Sequence, residues 1–456
     1  MTERTSHVVV VGGGIAGLAA AHALLADVPA GSRTVTLLEA QDRLGGKIRT
    51  SPFAGHDAID EGADSFLARV PWATQFAHSL GMANELVSPA TGSAAVWWDG
   101  LQKIPTGLVL GLPTDMLQLA RSNLLSWRGK LRAATELVRP RTDISADSIG
   151  GYVRGRFGDQ VHQRLVDPLV GSIYAADTDR FSLQAVPQLA DLATGSRSVL
   201  WAALHRPRAP TGPVFSAPRA GMADLVDQAA RVITELGGDI RPGTPCQTME
   251  VDGAGWRIDG QFADAVVLAC PAAQAARLLT GVCTAAEPMA SIEYADVVLI
   301  TVAVPRREWP ERLHGLSGYL VPKPVQRMVT AVSFGSQKWS HWHDPDSVVL
   351  RISLGRDGLP VLHQSDERLR EAAIAETGTH LGFDLQPTAL RQSNWQRAFP
   401  QYRPHHHRLV DSIQAELPPS LVLAGASYHG IGIPACIRSG QQAADLLTKR
   451  TLSALW

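Results

Sequence analysis

The sequence is poor in cysteine. Its 456 residues hold four, Cys246, Cys270, Cys283 and Cys436, and none forms a C-x-x-C pair. Such spacing offers neither a zinc site nor a redox dithiol, and sparse, scattered thiols fit a reducing cytosol. Long apolar runs are also missing. The best stretch, Ile104 to Ala120, is broken by Pro113 and Asp115, so no transmembrane helix is expected. The polar Met1 to His7 leaves no room for a signal peptide before the first strand-like run. An excess of either charge is lacking too. The formal net charge of −1 gives no field that would draw in nucleic acid, so any anionic ligand must be met by local basic residues. The chain shows no internal repeat and no low-complexity segment.

What is present is a folding composition, 45% apolar and 19% charged, which excludes a disordered chain. The length exceeds one ordinary core and predicts two or three structural units. Val8 to Val11 is a continuous β-branched run that suits a strand buried on both faces. A glycine turn follows, then a helix from Leu18 to Ala26 and a second strand from Thr34 to Glu39. This βαβ unit implies a parallel sheet. Asp264 to Ala269 and Leu421 to Gly425 read as further buried strands, the latter leading to a helix from about Ala435 to Lys449. Strand-like segments such as Val297 to Val304 and Val348 to Leu354 fill much of 295–395. Residues 97–204 have helical periodicity with few strand signals, and the Pro-rich stretch His205 to Pro213 reads as a connection.

Three motifs carry chemistry. In the first, Gly12-Gly13-Gly14-Ile15-Ala16-Gly17 follows a strand and opens a helix. Gly12 permits the tight turn, Gly14 lets backbone approach a pyrophosphate, and Gly17 lets the helix pack on the strand. The phosphates would sit at the helix N-terminus, where free N–H groups favour anions. Glu39 lies 22 residues beyond Gly17, where a carboxylate meets a ribose diol. The second motif, Arg43-x-Gly45-Gly46-Lys47-x-Arg49, sets two glycines among basic residues directly after Glu39. It would let backbone pass under a flavin while charge balances the phosphates, and it points to FAD over NAD. The third runs from Gly425 to Pro434 ahead of the last helix. Pro434 suits a first helical turn, and that helix N-terminus would stabilise the negative charge of a reduced flavin.

With GGGIAGL, EAQDRLGGKIRT, DEGADSFLAR, GSIYAADTDRFSL, FPQYRPHH and GASYHGIGIPACIRSG in view, the chain resembles the flavin-dependent protoporphyrinogen/coproporphyrinogen oxidases of haem biosynthesis, the bacterial coproporphyrinogen III oxidase form most of all. The N-terminal motifs are shared with amine oxidases and carotenoid desaturases; those around Gly171 to Leu183, Pro400 to Tyr402 and Gly430 to Gly440 are more specific. The resemblance implies an α/β and α+β fold: a Rossmann-type FAD-binding domain split over 1–95, 213–290 and 405–456, a mainly α-helical domain over 96–204, and a mixed-sheet substrate domain over 291–404. It implies non-covalent FAD, with contacts at Gly12 to Gly17, Glu39, Ala40, Lys47, and Gly62, Ala63, Asp64 and Ser65. By position it adds Cys246, Trp395, Ile433, Pro434 and Ala435. Relatives usually carry Val at the Cys246 position, but that contact runs through backbone to the adenine. Some relatives carry a Lys after Arg69 where this chain has Val70-Pro71; Arg69 is then the candidate base for a substrate propionate.

The implied reaction removes six electrons from a porphyrinogen in three flavin cycles, each reoxidised by O₂ to H₂O₂. The cofactor carries the difficult chemistry, so no triad, paired carboxylates or metal site is expected. Tyr402 is the candidate aromatic wall, and Ile173 and Tyr174 the opposite one, with core packing the competing reading for each. His405 to His407 reads as a solvated polar loop and not a metal site. The basic run Arg121 to Arg141 reads as a solvated helix face, and at most a peripheral membrane association. A cytoplasmic enzyme that hands its product transiently to a ferrochelatase follows from the resemblance. The competing readings are a protoporphyrinogen IX oxidase, another flavin amine oxidase or desaturase, and a non-catalytic binder on the same fold.

Overall fold

The computed structural model describes residues 5–26, 28–29, 31–205 and 212–450. The expected connection over 205–213 falls mainly outside them. The strand Ser6–Val11 is apolar at successive positions because both its faces are covered: Val8 and Val10 pack into one core with Leu18, Leu24 and Ile437, while Val9 and Val11 pack into another with Trp256 and Leu268. It is the central strand of a five-stranded parallel sheet. Arg33–Leu38 and then Asp239–Arg241 lie on one side, Ala265–Leu268 and then Leu421–Leu423 on the other. The helix Ile15–Ala26 packs on the last helix, Ile433–Arg450, so closely that a Cβ at Gly440 would overlap the Ala16 carbonyl. Segments far apart in the chain thus build one sheet.

A second sheet has seven strands. Its order is Ala389–Pro400, Tyr294–Pro305, Ser347–Leu354, Val329–Phe334, Gly318–Leu320, Ala94–Trp97 and Leu101–Lys103, antiparallel except where Gly318–Leu320 meets Ala94–Trp97. On one face Val298, Ile300, Val302 and Val304 pack with Phe334, Leu350 and the helix Asp366–Leu381. On the other, Val297, Leu299, Trp395 and Phe399 face the parallel-sheet unit. The expected boundary at residue 96 is corrected here, because it would cut through a strand of this sheet. Ala94-Ala95-Val96-Trp97 is too short and too uniformly apolar for periodicity to separate strand from helix.

The third unit is helical. Ile149–Phe157, Asp167–Tyr174 and Pro187–Gly195 pack around Val153, Phe157, Val170 and Phe181. The basic run does not form a simple solvated face. It breaks into Met116–Arg121, Trp127–Ala134 and a 3₁₀ turn, Thr135–Val138. Its one acid, Glu136, is fully buried against Arg156 and accepts the Val199 N–H at 2.8 Å. Arg132 donates to the carbonyls of Arg154, Gly155 and Arg156, closing a helix C-terminus. Arg121, Arg128, Arg139 and Arg141 stand exposed as expected, and the apolar Trp127, Leu131 and Val138 are exposed among them.

The histidine triplet also differs from expectation. His405 takes a left-handed conformation and His406 begins the helix His406–Ala415. His406 is buried because its ring stacks on Tyr402, 4.0 Å between centroids. Among the described residues no group of three His, Cys, Asp or Glu is placed to hold a metal, and no helix is long and apolar enough to cross a membrane.

Candidate functional site: a cleft between two sheets

The site begins where the first strand ends. Gly12 turns the chain at φ +114, a backbone conformation that side chains rarely allow. A Cβ at Gly17 would overlap the Gly12 carbonyl oxygen, so the helix can start this close to the strand only with glycine there. Gly14 differs: a Cβ there would meet no atom within 4 Å and would stand in open cleft. The first N–H groups of the helix Ile15–Ala26 lack intrahelical acceptors and, with the helix dipole, favour an anion. Glu39 stands at the edge of this cradle. Its two oxygens accept the N–H groups of Gly13 at 2.7 Å and Gln41 at 2.8 Å, which fixes the carboxylate and leaves each oxygen able to accept once more.

The basic loop packs onto the cradle, with the Gly45 N–H donating to the Gly13 carbonyl at 2.8 Å. Arg43 turns inward and donates to the carbonyls of Leu44, Gly46 and Ile48 at 3.1, 2.6 and 3.0 Å. Its work is to hold the loop's shape. Lys47 opens into the cleft instead. It remains exposed to the cleft, yet the confined surroundings cost it hydration and draw its pKa down to about 8.

The cleft has a volume of about 1360 Å³. Roughly 300–1,000 Å³ is usual for one small ligand, so a cofactor and a second molecule can lie here together. It runs from Glu39, Ala40 and Cys246, past Gly14, Lys47, Gly62 and Trp395, to an apolar slot walled by Val297, Leu299 and Phe399. Six cations line it (Arg43, Lys47, Arg49, Arg351, Arg356 and Arg397) against two carboxylates, Glu39 and Glu61. Most of the cations are engaged. Arg49 pairs with Glu61 at 3.1 Å, Arg351 with Asp64 at 3.1 Å, and Arg356 with both oxygens of the buried Asp167. An open glycine cradle, a helix N-terminus and an excess of positive charge fit an anionic dinucleotide.

The structure gathers most of the expected cofactor residues. Gly12, Gly14, Ile15, Ala16, Glu39, Ala40, Arg43, Gly46, Lys47, Gly62, Ala63, Cys246, Trp395, Gly425 and Ile433 line this one cleft. Gly13, Gly17, Pro434 and Ala435 stand behind its wall. Cys246 and Cys436 are pushed up to about 12 by burial, so both thiols stay protonated.

The Asp64 side chain turns away from the cleft, because Lys338, Arg351 and the Trp339 indole N–H all converge on it. Against its burial, these partners hold its carboxyl well below the usual carboxylate range. Ser65 donates to Asp64 and follows it.

The substrate-side candidates need correction. Tyr402 does not wall the cleft. It is buried, and its hydroxyl donates to the Ala426 carbonyl at 2.5 Å and accepts the Gly430 N–H at 2.8 Å. It braces the turn before the last helix, a positioning role. Ile173 and Tyr174 lie on the wrong side of the helix Asp167–Tyr174. Their neighbours Gly171 and Ser172 line the cleft, with Ala175, the cap four and three residues beyond them, on the same side. Arg69 is exposed and does not line it. Sequence reasoning missed Arg351, Arg356, Arg397, Val297 and Leu299. The first three carry no motif, and the last two sit in a strand that is apolar on both faces, which hides its cleft side.

Comparison with known proteins agrees with this geometry. Residues 15–448 match the model of the family described as flavin containing amine oxidoreductase. The chain is 33% identical to a coproporphyrinogen III oxidase of Mycobacterium bovis, over 95% of each chain. It is 30% identical to the coproporphyrinogen III oxidase of Propionibacterium freudenreichii, covering 98% of this chain and 92% of the relative. A crystal structure from Exiguobacterium sp. 255-15 superposes with a TM-score of 0.85 at 30% identity, covering 97% of this chain and 98% of that one. The cradle, the basic loop and these full-length likenesses agree: the chain belongs to the flavin containing amine oxidoreductases, with a flavin as its cofactor, and within them it is akin to the porphyrinogen oxidases.

Proposed function

We propose that the chain oxidises coproporphyrinogen III to coproporphyrin III with non-covalently bound FAD, passing six electrons to three O₂ to give three H₂O₂. The observation that carries this reading is the cleft itself. A dinucleotide cradle opens without a break into an apolar slot walled by Val297, Leu299, Trp395 and Phe399. The relatives' names supply the substrate class.

Bound flavin supplies a two-electron acceptor for hydride. The protein's part is binding, orientation and exclusion of water. Glu39 would meet the ribose and Lys47 the phosphates, while the Gly425 turn and the start of the last helix close the flavin end. The apolar wall presents a dry, flat face to a tetrapyrrole, where contact needs no polar match. The protonated Cys436 thiol supports non-covalent attachment, since a thiolate would be the attacking form.

Anaerobic mixing with coproporphyrinogen III tests the reading. Bleaching of the flavin's visible absorbance is expected, with colour returning on admission of air. A flavin that stays oxidised would sink the proposal. Steady-state comparison with protoporphyrinogen IX should favour the coproporphyrinogen in kcat/KM; the reverse order would replace the substrate and keep the class.

A further inference from the structure

Arg397 lines the cleft, and no carboxylate of the described residues pairs with its guanidinium. Its backbone stands at φ +47, in the left-handed region that favours glycine. A bulge puts it there. Ala295 pairs with Phe399 and Val297 with Trp395, so residues 396–398 oppose Asp296 alone. Asp296 Oδ1 accepts the Arg397 N–H at 2.6 Å and holds the bulge. Bulges re-aim side chains, and this one sends a guanidinium to 5.0 Å from the centre of the Tyr294 ring.

The Lys47 ammonium lies 5.7 Å from the same ring and also lacks a carboxylate partner among the described residues. Tyr294 is fixed between them and the sheet: its hydroxyl accepts the Ala272 N–H at 2.9 Å and bonds Ser427 Oγ at 2.8 Å. Two like charges therefore share one aromatic ring while the cleft's other arginines are engaged. A nearby anion would stabilise both charged forms. The loop bearing Lys47 packs on the cradle, since a Cβ at Gly46 would stand 3.5 Å from Gly14 Cα, so an anion met by Lys47 has the cradle beside it.

We propose that Arg397 and Lys47 form a clamp that grips the pyrophosphate of the bound dinucleotide above the Gly12–Gly17 cradle. This rests on the flavin-dinucleotide reading. Lys47 comes from the parallel-sheet unit and Arg397 from the seven-stranded sheet, so the cofactor ties the two together.

The test is release of FAD from the full-length holoenzyme, followed as flavin passing an ultrafiltration membrane. Arg397→Gly suits the left-handed backbone and, with both proteins flavin-free, should melt no earlier than wild type. It should nonetheless release FAD on the order of tenfold faster, the difference shrinking in high salt, with Arg397→Lys in between. The KM for the porphyrinogen should not change when FAD is saturating. Unchanged release in Arg397→Gly overturns the clamp. So does unchanged release with a raised KM, which would assign Arg397 to a substrate carboxylate. A wild-type protein that takes up no FAD would instead overturn the reading beneath it.

Discussion

At the residue scale, the cleft shows how a side chain's neighbours decide its use. Lys47 and Arg43 lie four residues apart in one basic loop, yet Arg43 is committed to three carbonyls and Lys47 opens to the ligand space. Lys47 has a pKa drawn down to about 8 by partial loss of hydration within the cleft, and a bound anion would raise it. The sign follows. Attraction to a phosphate needs the charged form, which is complete below about pH 8 and is lost as pH rises through the bound-state value. FAD release should therefore quicken as pH climbs above about 8, and Lys47→Gln should release faster throughout and lose that pH dependence. Release rates measured across a pH series check this. Tyr402 gives the complementary case. The motif Pro400-Gln401-Tyr402 marks a real position, but the tyrosine's two hydrogen bonds brace a turn and no part of it lines the cleft.

At the element scale, the turn between the first strand and its helix separates folding from binding. A Cβ at Gly17 would overlap the Gly12 carbonyl and force strand and helix apart; one at Gly14 would meet only the cleft. Gly17→Ala should therefore lower the melting temperature sharply and yield little folded protein. Gly14→Ala should melt like the flavin-free wild type and yet retain far less flavin. Circular dichroism melts alongside flavin content separate the two, and a Gly14→Ala protein that keeps its flavin would count against the cradle. These roles were legible in the sequence because spacing along one strand–turn–helix is local. The face of Asp167–Tyr174 was less so: the segment is right, but Gly171, Ser172 and Ala175 and not Ile173 and Tyr174 reach the cleft. Which side of a helix faces a ligand depends on what packs behind it, here Phe181 against Tyr174.

At the scale of the whole molecule, Asp64 rivets the two sheets beside the cleft. It comes from the parallel-sheet unit and binds Lys338 at 2.9 Å and Arg351 at 3.1 Å, both from the seven-stranded sheet unit. Removing one member of a buried ion cluster leaves the others uncompensated, which costs about 3–5 kcal/mol. Asp64→Asn should lose stability of that order in denaturant melts at neutral pH. The native carboxyl sits below its ordinary range, so its contribution is present above the unfolded-state value, about 3.9, and lost as pH falls below it. The variant's deficit should accordingly shrink in acid. A deficit that persists unchanged there would point to packing and not charge.

The sequence by itself determined the parallel sheet, the glycine cradle, the acid at its edge, the basic loop and the kind of cofactor, because each depends on residues close together in the chain. The turn before the last helix was legible from its own glycines and proline, whereas Cys246 and Trp395 were reached only through resemblance, since nothing local ties them to the cradle. The tertiary structure alone decided the rest. It placed Ala94–Trp97 at the far side of a sheet formed 200 residues later, buried Glu136, turned Tyr402 away from the cleft and set Arg397 beside Lys47. The physical reason is the same in each case. A side chain's partner set is fixed by packing between segments distant in sequence, and the flavin site lies where those segments meet.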